Sequence, residues 1–217
     1  MKTNLVSLSL LGLGGLLAFS PRPCLGGEER GPYYSADVGG TIAESTKLKE
    51  FPGATPGSKL QFDPGVRLSV GGGYRFNDWM SVGGETGFMV NTIKGADAAV
   101  SQVPMFANVE FRLPCTNKWK IVPFIGGGPG VSFSTISLDH ESLGNGTSVD
   151  GSSSDAVFAW QAYGGVRCNI NDAMSVGVVY KYFEADAPRW EVDNTSQDIR
   201  FGRAHIHTIS ASFSMSF

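Results

Sequence analysis

The sequence is poor in charge, in cysteine and in long apolar stretches, and these shortages limit what the protein can be. Asp, Glu, Lys and Arg make up 17% of the 217 residues, against about a quarter in ordinary soluble domains. The formal net charge is -3 and no run of Lys or Arg occurs, which argues against a nucleic-acid partner. So little charge fits a protein whose outer surface is partly not in water.

Long apolar stretches are confined to the amino end. Leu5 to Phe19 follows a lysine and precedes small residues, which predicts an export signal over residues 1–26. Pro21 and Pro23 end this stretch, and it is too short to span a membrane comfortably as a helix. Residues 27–217 contain no apolar run of helical spanning length. A mature chain inside a membrane must therefore cross it as the strands of a closed barrel.

Cysteine is scarce, with three residues in the chain. Cys24 lies in the predicted export signal, and the Pro-Arg-Pro sequence before it argues against a lipoprotein acylation site. Cys115 and Cys168 both lie near short connections, in a compartment that permits disulfides. A bond requires their Cα atoms to come within about 7 Å, whereas two steps across a sheet already span more than about 9 Å. The pair is a candidate disulfide, and two separate thiols are the alternative.

Alternation of apolar and polar residues is what the chain has in abundance. Near the carboxyl end, Ile209 and the apolar residues that follow it at every second position share one face, and only Ser and Thr lie on the other. The same pattern predicts strands near residues 33–43, 64–76, 79–91, 102–113, 119–136, 158–170, 173–184 and 208–217. Pro129 predicts a bulge or kink in the fifth strand, because proline removes a ladder donor.

The connections between these strands alternate in length. Asn77–Asp78, residues 114–118 and Asn171–Asp172 are short, and the last is predicted to be as short as a hairpin turn can be. The other connections, near 44–61, 92–101, 138–154 and 186–202, are mostly longer and rich in Gly, Ser, Thr, Asn and Asp. Short turns at one end and long loops at the other are typical of membrane barrels. The sequence predicts an all-β fold, a closed antiparallel up-and-down transmembrane β-barrel of about eight strands that forms one domain over residues 27–217.

Alternation alone does not say which face of a barrel is outside, and a soluble lipocalin-like barrel would have its apolar face inside. Here the polar faces carry Ser, Gly, Asn and Gln with charges of both signs, which fits an interior where buried charges must be paired. We predict a lumen ion-pair network of Asp37, Arg67, Arg75, Glu85, Glu110, Arg112, Arg167 and Lys181. Aromatic residues near strand ends predict two interfacial girdles, formed by Tyr33, Tyr34, Tyr74, Phe76, Trp79, Phe111, Trp119, Tyr180, Tyr182 and Phe217.

Two segments carry a family resemblance. Ser212 to Phe217 resembles the carboxyl-terminal signature of bacterial outer-membrane proteins, and Gly73 to Trp79 resembles the hairpins of the opacity-protein and OmpA-like eight-stranded barrels. The resemblance implies a bacterial outer-membrane location and contact with outer-membrane lipids and lipopolysaccharide. The sequence departs from full-length OmpA-type proteins, because we expect no periplasmic peptidoglycan-binding domain after the barrel. The resemblance also implies that Phe213, Met215 and Phe217 form an assembly signal that the barrel-assembly machinery reads.

Residues that suggest chemistry are few. His140, Glu141 and Ser142 suggest a hydrolase, since some small outer-membrane barrels deacylate lipid A with a Ser-His pair. Adjacent residues in a Gly-rich loop are, however, poorly placed as nucleophile and base. His205 and His207 share a strand face, where we predict interfacial residues rather than a metal site. The sequence therefore predicts no catalytic residues, no cofactor and no metal.

Two classes of function remain. The first is a structural, adhesive or surface-interaction role, with loops that contact a host or envelope partner and with Trp190 as the best candidate for a contact anchor. The second is a narrow porin for small or hydrophobic solutes, which an eight-stranded lumen crossed by Arg, Glu and Lys disfavours. A soluble lipocalin-like binding barrel and a lipid A-modifying enzyme are less favoured.

Overall fold

The computed structural model describes residues 30–50, 59–95, 98–113, 121–142, 148–190 and 199–217. Within those ranges no helix is long and apolar enough to cross a membrane. The strands are β1 (Gly31–Ala43), β2 (Thr46–Glu50), β3 (Lys59–Leu60), β4 (Gly65–Arg75), β5 (Met80–Thr92), β6 (Ala98–Arg112), β7 (Ile121–Ser142), β8 (Ser148–Asn169), β9 (Met174–Ala185), β10 (Arg189–Trp190), β11 (Ile199–Phe201) and β12 (Ala204–Ser216).

Eight of the strands close into one antiparallel barrel in the order β1-β12-β9-β8-β7-β6-β5-β4. The first and last strands complete the ring, with a register that runs unbroken from Tyr33 opposite Ser216 to Ala43 opposite Ile206. Each wall strand thus has two hydrogen-bonded neighbours, which is what a backbone needs inside hydrocarbon. The predicted closed up-and-down barrel of about eight strands is confirmed.

The apolar face of each wall strand points outward. Ile42 and Ile209 expose 65% and 64% of their surface, whereas Arg67 and Lys181 expose 1% and 2%. A register slip of one residue would exchange the two faces, so this distribution depends on the continuous pairing described above. The arrangement is the reverse of a soluble lipocalin-like barrel.

Asparagine side chains hold the two tight turns described by the structure. Asn77 Oδ1 accepts hydrogen bonds from the backbone N–H groups of Trp79 (3.1 Å) and Met80 (2.7 Å). Asn171 Oδ1 repeats the arrangement with Ala173 (2.9 Å) and Met174 (2.7 Å). Each loop has three residues between its last backbone hydrogen-bonded positions, which are Phe76 and Met80 in the first turn and Ile170 and Met174 in the second. The prediction of the shortest hairpin turn at Asn171–Asp172 was therefore one residue too short.

Pro129 does not shift the register of β7. Its pairing with β8 continues unchanged through Pro129, opposite Trp160, and the irregularity lies instead between Leu138 and Glu141. On the other side, the β6–β7 ladder is interrupted opposite Pro129, which is where the missing N–H would otherwise be needed. The prediction of a bulge near Pro129 was wrong, and its alternative, a kink, stays a prediction.

The long-connection end of the barrel carries additional β-structure. β7 and β8 have 22 residues each, and their hairpin continues past Ala98, where β6 begins, and past Ala185, where β9 ends. A second sheet of four short strands, in the order β10-β11-β2-β3, lies in the connections that join β1 to β4 and β9 to β12. This end therefore presents more chain to the surroundings than the end with tight turns.

Candidate functional site in the barrel lumen

A buried ion-pair cluster crosses the middle of the lumen, and Glu85 of β5 is its centre. Glu85 Oε1 accepts hydrogen bonds from Lys181 Nζ at 2.6 Å and Arg67 Nη2 at 2.9 Å, and Lys181 also donates to Asp37 Oδ2 at 2.7 Å. β5 and β9 are four strands apart in the eight-strand ring, so the bond between Glu85 and Lys181 spans the lumen. Both carboxylates are thereby compensated, as buried charges require.

Two amide side chains extend this cluster. Gln161 Oε1 accepts from Arg67 at 2.9 Å, and Gln161 Nε2 donates to Glu85 Oε2 at 3.1 Å and to Asn108 Oδ1 at 3.2 Å. The cluster therefore links β1, β4, β5, β6, β8 and β9. Sequence reasoning did not assign Gln161 or Asn108 to the network. Their inward position, shared with the charged residues of the same strands, is the signal that would have included them.

A second ion-pair cluster lies closer to the tight turns. Arg167 makes a bidentate pair with Glu110, with Nη1 to Oε1 at 2.6 Å and Nη2 to Oε2 at 3.0 Å. Arg112 Nε lies 3.8 Å from Glu110 Oε1, and the Arg167 guanidinium carbon lies 3.8 Å from the centre of the Phe124 ring. The described contacts thus bring seven of the eight predicted lumen charges into ion pairs.

The eighth charge, Arg75, donates from Nη1 to Ser216 Oγ at 2.9 Å. Its guanidinium carbon also lies 5.8 Å from the centre of the Tyr33 ring. Tyr33 therefore faces the lumen and does not belong to a girdle, which corrects the sequence prediction, because odd-numbered positions of β1 point inward. Trp119, another predicted girdle residue, lies outside the described residues.

Above the charged clusters, toward the longer connections, an apolar layer fills the lumen. Its buried members are Met89, Phe106, Ala159, Phe183, Ala185 and Ile206. The rings of Phe106 and Phe183 meet edge-on with their centres 5.9 Å apart. Sequence reasoning treated the inward face as polar throughout and missed this layer. The signal was present, since these residues share the inward parity of the buried polar or charged positions on the same strands.

A pocket opens above the apolar layer, at the outer mouth of the barrel. It is open to solvent at the mouth. Inward positions of β1, β5, β6, β7 and β12 form its wall, and the connections after β1 and before β12 form its rim. The lining residues include Ala43, Glu44, Phe62, Asn91, Val100, Gln102, Ala204 and Ile206.

The two histidines lie on the outer side of the wall at this rim. His207 Nδ1 shares a hydrogen bond with Tyr180 Oη at 2.7 Å, and His205 Nδ1 shares one with Tyr182 Oη at 2.8 Å. His207 Nε2 lies 3.0 Å from Glu44 Oε1, and this hydrogen bond is the main cause that lowers the pKa of the Glu44 carboxyl. Within the described ranges, no group of three or more His, Cys, Asp or Glu side chains is arranged to hold a metal ion.

The remaining predicted residues divide by position. Phe213 and Met215 face outward on β12, opposite Val176 and Met174. Phe217 packs edge-on against Tyr34 with ring centres 5.7 Å apart. The reading of this segment by the assembly machinery stays a prediction.

Several other predictions fall beyond what the structure describes. Cys168 is exposed on β8, but Cys115 lies outside the described residues, so the disulfide also stays a prediction. Residues 1–26 and the side chains of His140, Glu141, Ser142 and Trp190 lie outside the described part of the chain as well.

Comparison with known proteins yields one family and a set of similar folds. Residues 6–217 match the family model of the outer membrane protein beta-barrel domain. The comparison with curated protein sequences gives no match. Among solved structures, Neisserial surface protein A is 15% identical over 86% of this chain and 97% of its own, with a TM-score of 0.55.

Two further solved structures match this chain with similar identity, coverage and TM-score. OprG from Pseudomonas aeruginosa is 14% identical over 88% of this chain and 99% of its own, with a TM-score of 0.55. AlkL, solved in DMPC lipid bilayers, is 14% identical over 92% and 97%, with a TM-score of 0.53. At these identities the likeness shows a shared fold alone.

Proposed function

The chain belongs to the family of outer membrane protein β-barrel domains, and from that membership we propose that it is a membrane-embedded support for surface contacts whose lumen is closed to solutes. Its location is the bacterial outer membrane. The single observation that carries the proposal is the filling of the lumen by two layers of different chemistry, the ion-pair clusters and the apolar layer above them.

Passage along the barrel axis would have to disrupt both layers. An eight-stranded barrel has an interior just wide enough for side chains to fill. A solute would need to separate Lys181 from Glu85, which are 2.6 Å apart, and to displace Phe106 from Phe183. A narrow porin for small or hydrophobic solutes is therefore only the second candidate. The residues that the structure describes form no open channel along the barrel axis that would favour it.

The outer end supports the surface role. The β7–β8 hairpin extends past the barrel wall, and the second sheet adds four short strands beside it. We propose that this end contacts a host or envelope partner, while the apolar band and the aromatic residues contact outer-membrane lipids and lipopolysaccharide. The strand that ends at Phe217 would be read by the barrel-assembly machinery.

We further propose that the protein is not an enzyme. A nucleophilic site needs a base within hydrogen-bond reach of a serine, cysteine or similar group. The contacts described for His205 and His207 are with tyrosine and glutamate side chains. Neither histidine is placed as the base of such a pair.

Conductance in planar lipid bilayers tests the closed lumen. We expect the wild-type protein to show no sustained conductance, and the double variant Lys181→Ala/Phe183→Ala to show it, because that variant removes side chains from both layers. Tyr182→Ala, on the outer face of the same strand, is the matched control and should stay closed. Sustained conductance of the wild-type protein would overturn the proposal in favour of a porin.

Shortening the projecting hairpin tests the surface role. Leu138 pairs with Gly151, so replacing residues 139–150 with Asn-Gly gives a two-residue hairpin turn at that position. We expect cells that display the shortened protein to bind a host-cell monolayer less than cells that display the wild type. Heat-modifiable gel migration should be unchanged, since the barrel wall is intact. Equal binding by both cell populations would count against a contact role for this hairpin.

A further inference from the structure

The pocket at the outer mouth is not used by the proposed support role, and its surface is largely apolar. Ala43, Val100, Ala204 and Ile206 line it from the barrel wall, and Phe62 lines it from the connection between β3 and β4. Concave apolar surface with a few polar groups is the usual composition of a small-molecule site.

The pocket is closed below. Ile206 belongs both to the lining and to the apolar layer, where it packs with Met89, Phe106 and Phe183. The charged cluster around Glu85 lies beyond that layer. A molecule that enters from the outside would therefore stop at the apolar floor, so the pocket is suited to binding and not to passage.

One polar atom in the wall has no hydrogen-bond partner among the residues that the structure describes. Gln102 is 5% exposed, and its Oε1 has no hydrogen-bond partner among the described residues. By contrast, Asn91 Nδ2 donates to Thr41 Oγ1 at 3.0 Å and to the Asp63 carbonyl at 3.2 Å. Buried acceptors in folded proteins are normally satisfied. A bound molecule with an O–H or N–H group could satisfy Gln102 after rotation of its amide.

The charge of the rim restricts the ligand further. Glu44 and His205 both line the mouth, and His205 Nδ1 is already within hydrogen-bond distance of Tyr182 and 3.7 Å from Glu184. A ligand carboxylate would meet the like charge of Glu44 there, which is unfavourable at short range. A neutral donor group avoids this repulsion.

We propose that the mouth pocket binds one small neutral amphiphile, with a compact apolar body and a single hydrogen-bond donor that bonds to Gln102. A medium-chain alcohol has this chemistry. The apolar body would cover Val100 and Ile206, and the hydroxyl group would donate to Oε1 of Gln102. This inference goes beyond the proposed support role, because it assigns a ligand to a part of the lumen that the role leaves empty.

Methyl NMR of the ¹³C-labelled protein in lipid nanodiscs, titrated with 1-hexanol, tests the proposal. We expect saturable shifts of the Val100 and Ile206 methyl groups. The methyl groups of Ile209, which face the lipid, should respond only in proportion to the alcohol dissolved in the bilayer. Hexane should bind about fivefold more weakly than hexanol, as the loss of one hydrogen bond predicts, and hexanoate should bind more weakly as well.

Substitutions distinguish binding in the pocket from dissolution in the lipid, and the hydrogen bond from the apolar contact. Ala204→Phe fills the pocket and should abolish saturation, whereas Ala211→Phe, on the lipid face of the same strand, should not. Gln102→Met should remove the advantage of hexanol over hexane. Shifts confined to Ile209, or equal binding by hexanol, hexane and hexanoate, would overturn the proposal. A conducting wild-type barrel would overturn the closed lumen instead, and this titration is independent of that result.

Discussion

Lys181 and Phe183 lie two residues apart on the inward face of β9, yet they belong to layers that fill the lumen by different physics. Lys181 donates to Asp37 at 2.7 Å and, across the barrel, to Glu85 at 2.6 Å, whereas Phe183 packs edge-on against Phe106. Ion pairs and hydrogen bonds require specific atoms in specific places. Apolar packing tolerates substitution as long as volume is kept.

The difference indicates what each layer contributes to the barrel. The polar layer is the ion-pair cluster around Glu85, which connects six strands through hydrogen bonds and ion pairs. A change of register in any one of these strands would leave a buried charge without its partner. The apolar layer contributes burial that depends on filled volume. We therefore expect the polar layer to respond more strongly to loss of one member than the apolar layer does.

The largest effect is expected from breaking the polar layer at its centre. Glu85→Ala should lower the free energy of unfolding by about 3–5 kcal/mol, because it leaves Lys181 and Arg67 buried without this carboxylate. Urea unfolding in lipid vesicles, followed by tryptophan fluorescence, measures it. Asp186→Ala is the control, since it removes an exposed pair with Arg203 at 3.3 Å and should cost about 0–1 kcal/mol. Equal losses for the two variants would contradict the central role of Glu85.

A smaller effect is expected in the apolar layer. Met89→Ala leaves a cavity beside Phe106 and Phe183 and should lower the free energy of unfolding by about 2–4 kcal/mol. Met105→Ala removes the same side chain from the outer face of β6, where lipid takes its place, and should have little effect. The same urea titration compares them, and indistinguishable midpoints would show that the layer is not tightly packed.

A methyl group added next to the polar layer should lower the free energy of unfolding by less than either of these changes. A Cβ at Gly126 would lie 2.6 Å from both Cζ and Oη of Tyr163 and 2.7 Å from the Val109 carbonyl oxygen. Gly126→Ala should therefore cost about 1–3 kcal/mol through overpacking. At Gly164 the nearest atom lies 3.4 Å away, so Gly164→Ala is the matched control and should unfold at nearly the wild-type urea concentration. If both variants behave alike, steric room for Tyr163 does not explain the glycine.

The smallest effect lies outside both layers, at the exposed rim. His207 lowers the pKa of the Glu44 carboxyl in the folded state, so this hydrogen bond stabilises the fold above the usual Glu pKa of about 4.3. That stabilisation is lost as pH falls through the lowered pKa. Melting temperatures recorded between about pH 3 and 6 should fall less steeply on acidification for Glu44→Gln than for the wild type. Parallel curves for the two proteins would refute the linkage.

Much of the wall could be predicted from single strands, whereas contacts across the lumen could not. Alternation identified the inward side of Arg67 and Gln161, but nothing local says that β4 and β8 stand opposite each other in the closed ring and that these side chains meet at 2.9 Å. Likewise, Met89 and Phe106 share the inward parity, yet their common height along the axis depends on how the strands are staggered. Strand tilt and stagger are set only when the sheet closes.

Local chemistry by itself determined the features with a period of two and a range of a few residues: the outward apolar band, the inward charges, and the Asn-Asp turns. The tertiary structure decided which charges pair, that Tyr33 faces Arg75 instead of the lipid, that an apolar layer closes the outer half of the lumen, and that a pocket remains above it. The physical reason is that side-chain direction depends on backbone parity within one strand. Partners across a barrel depend on the register of every strand between them.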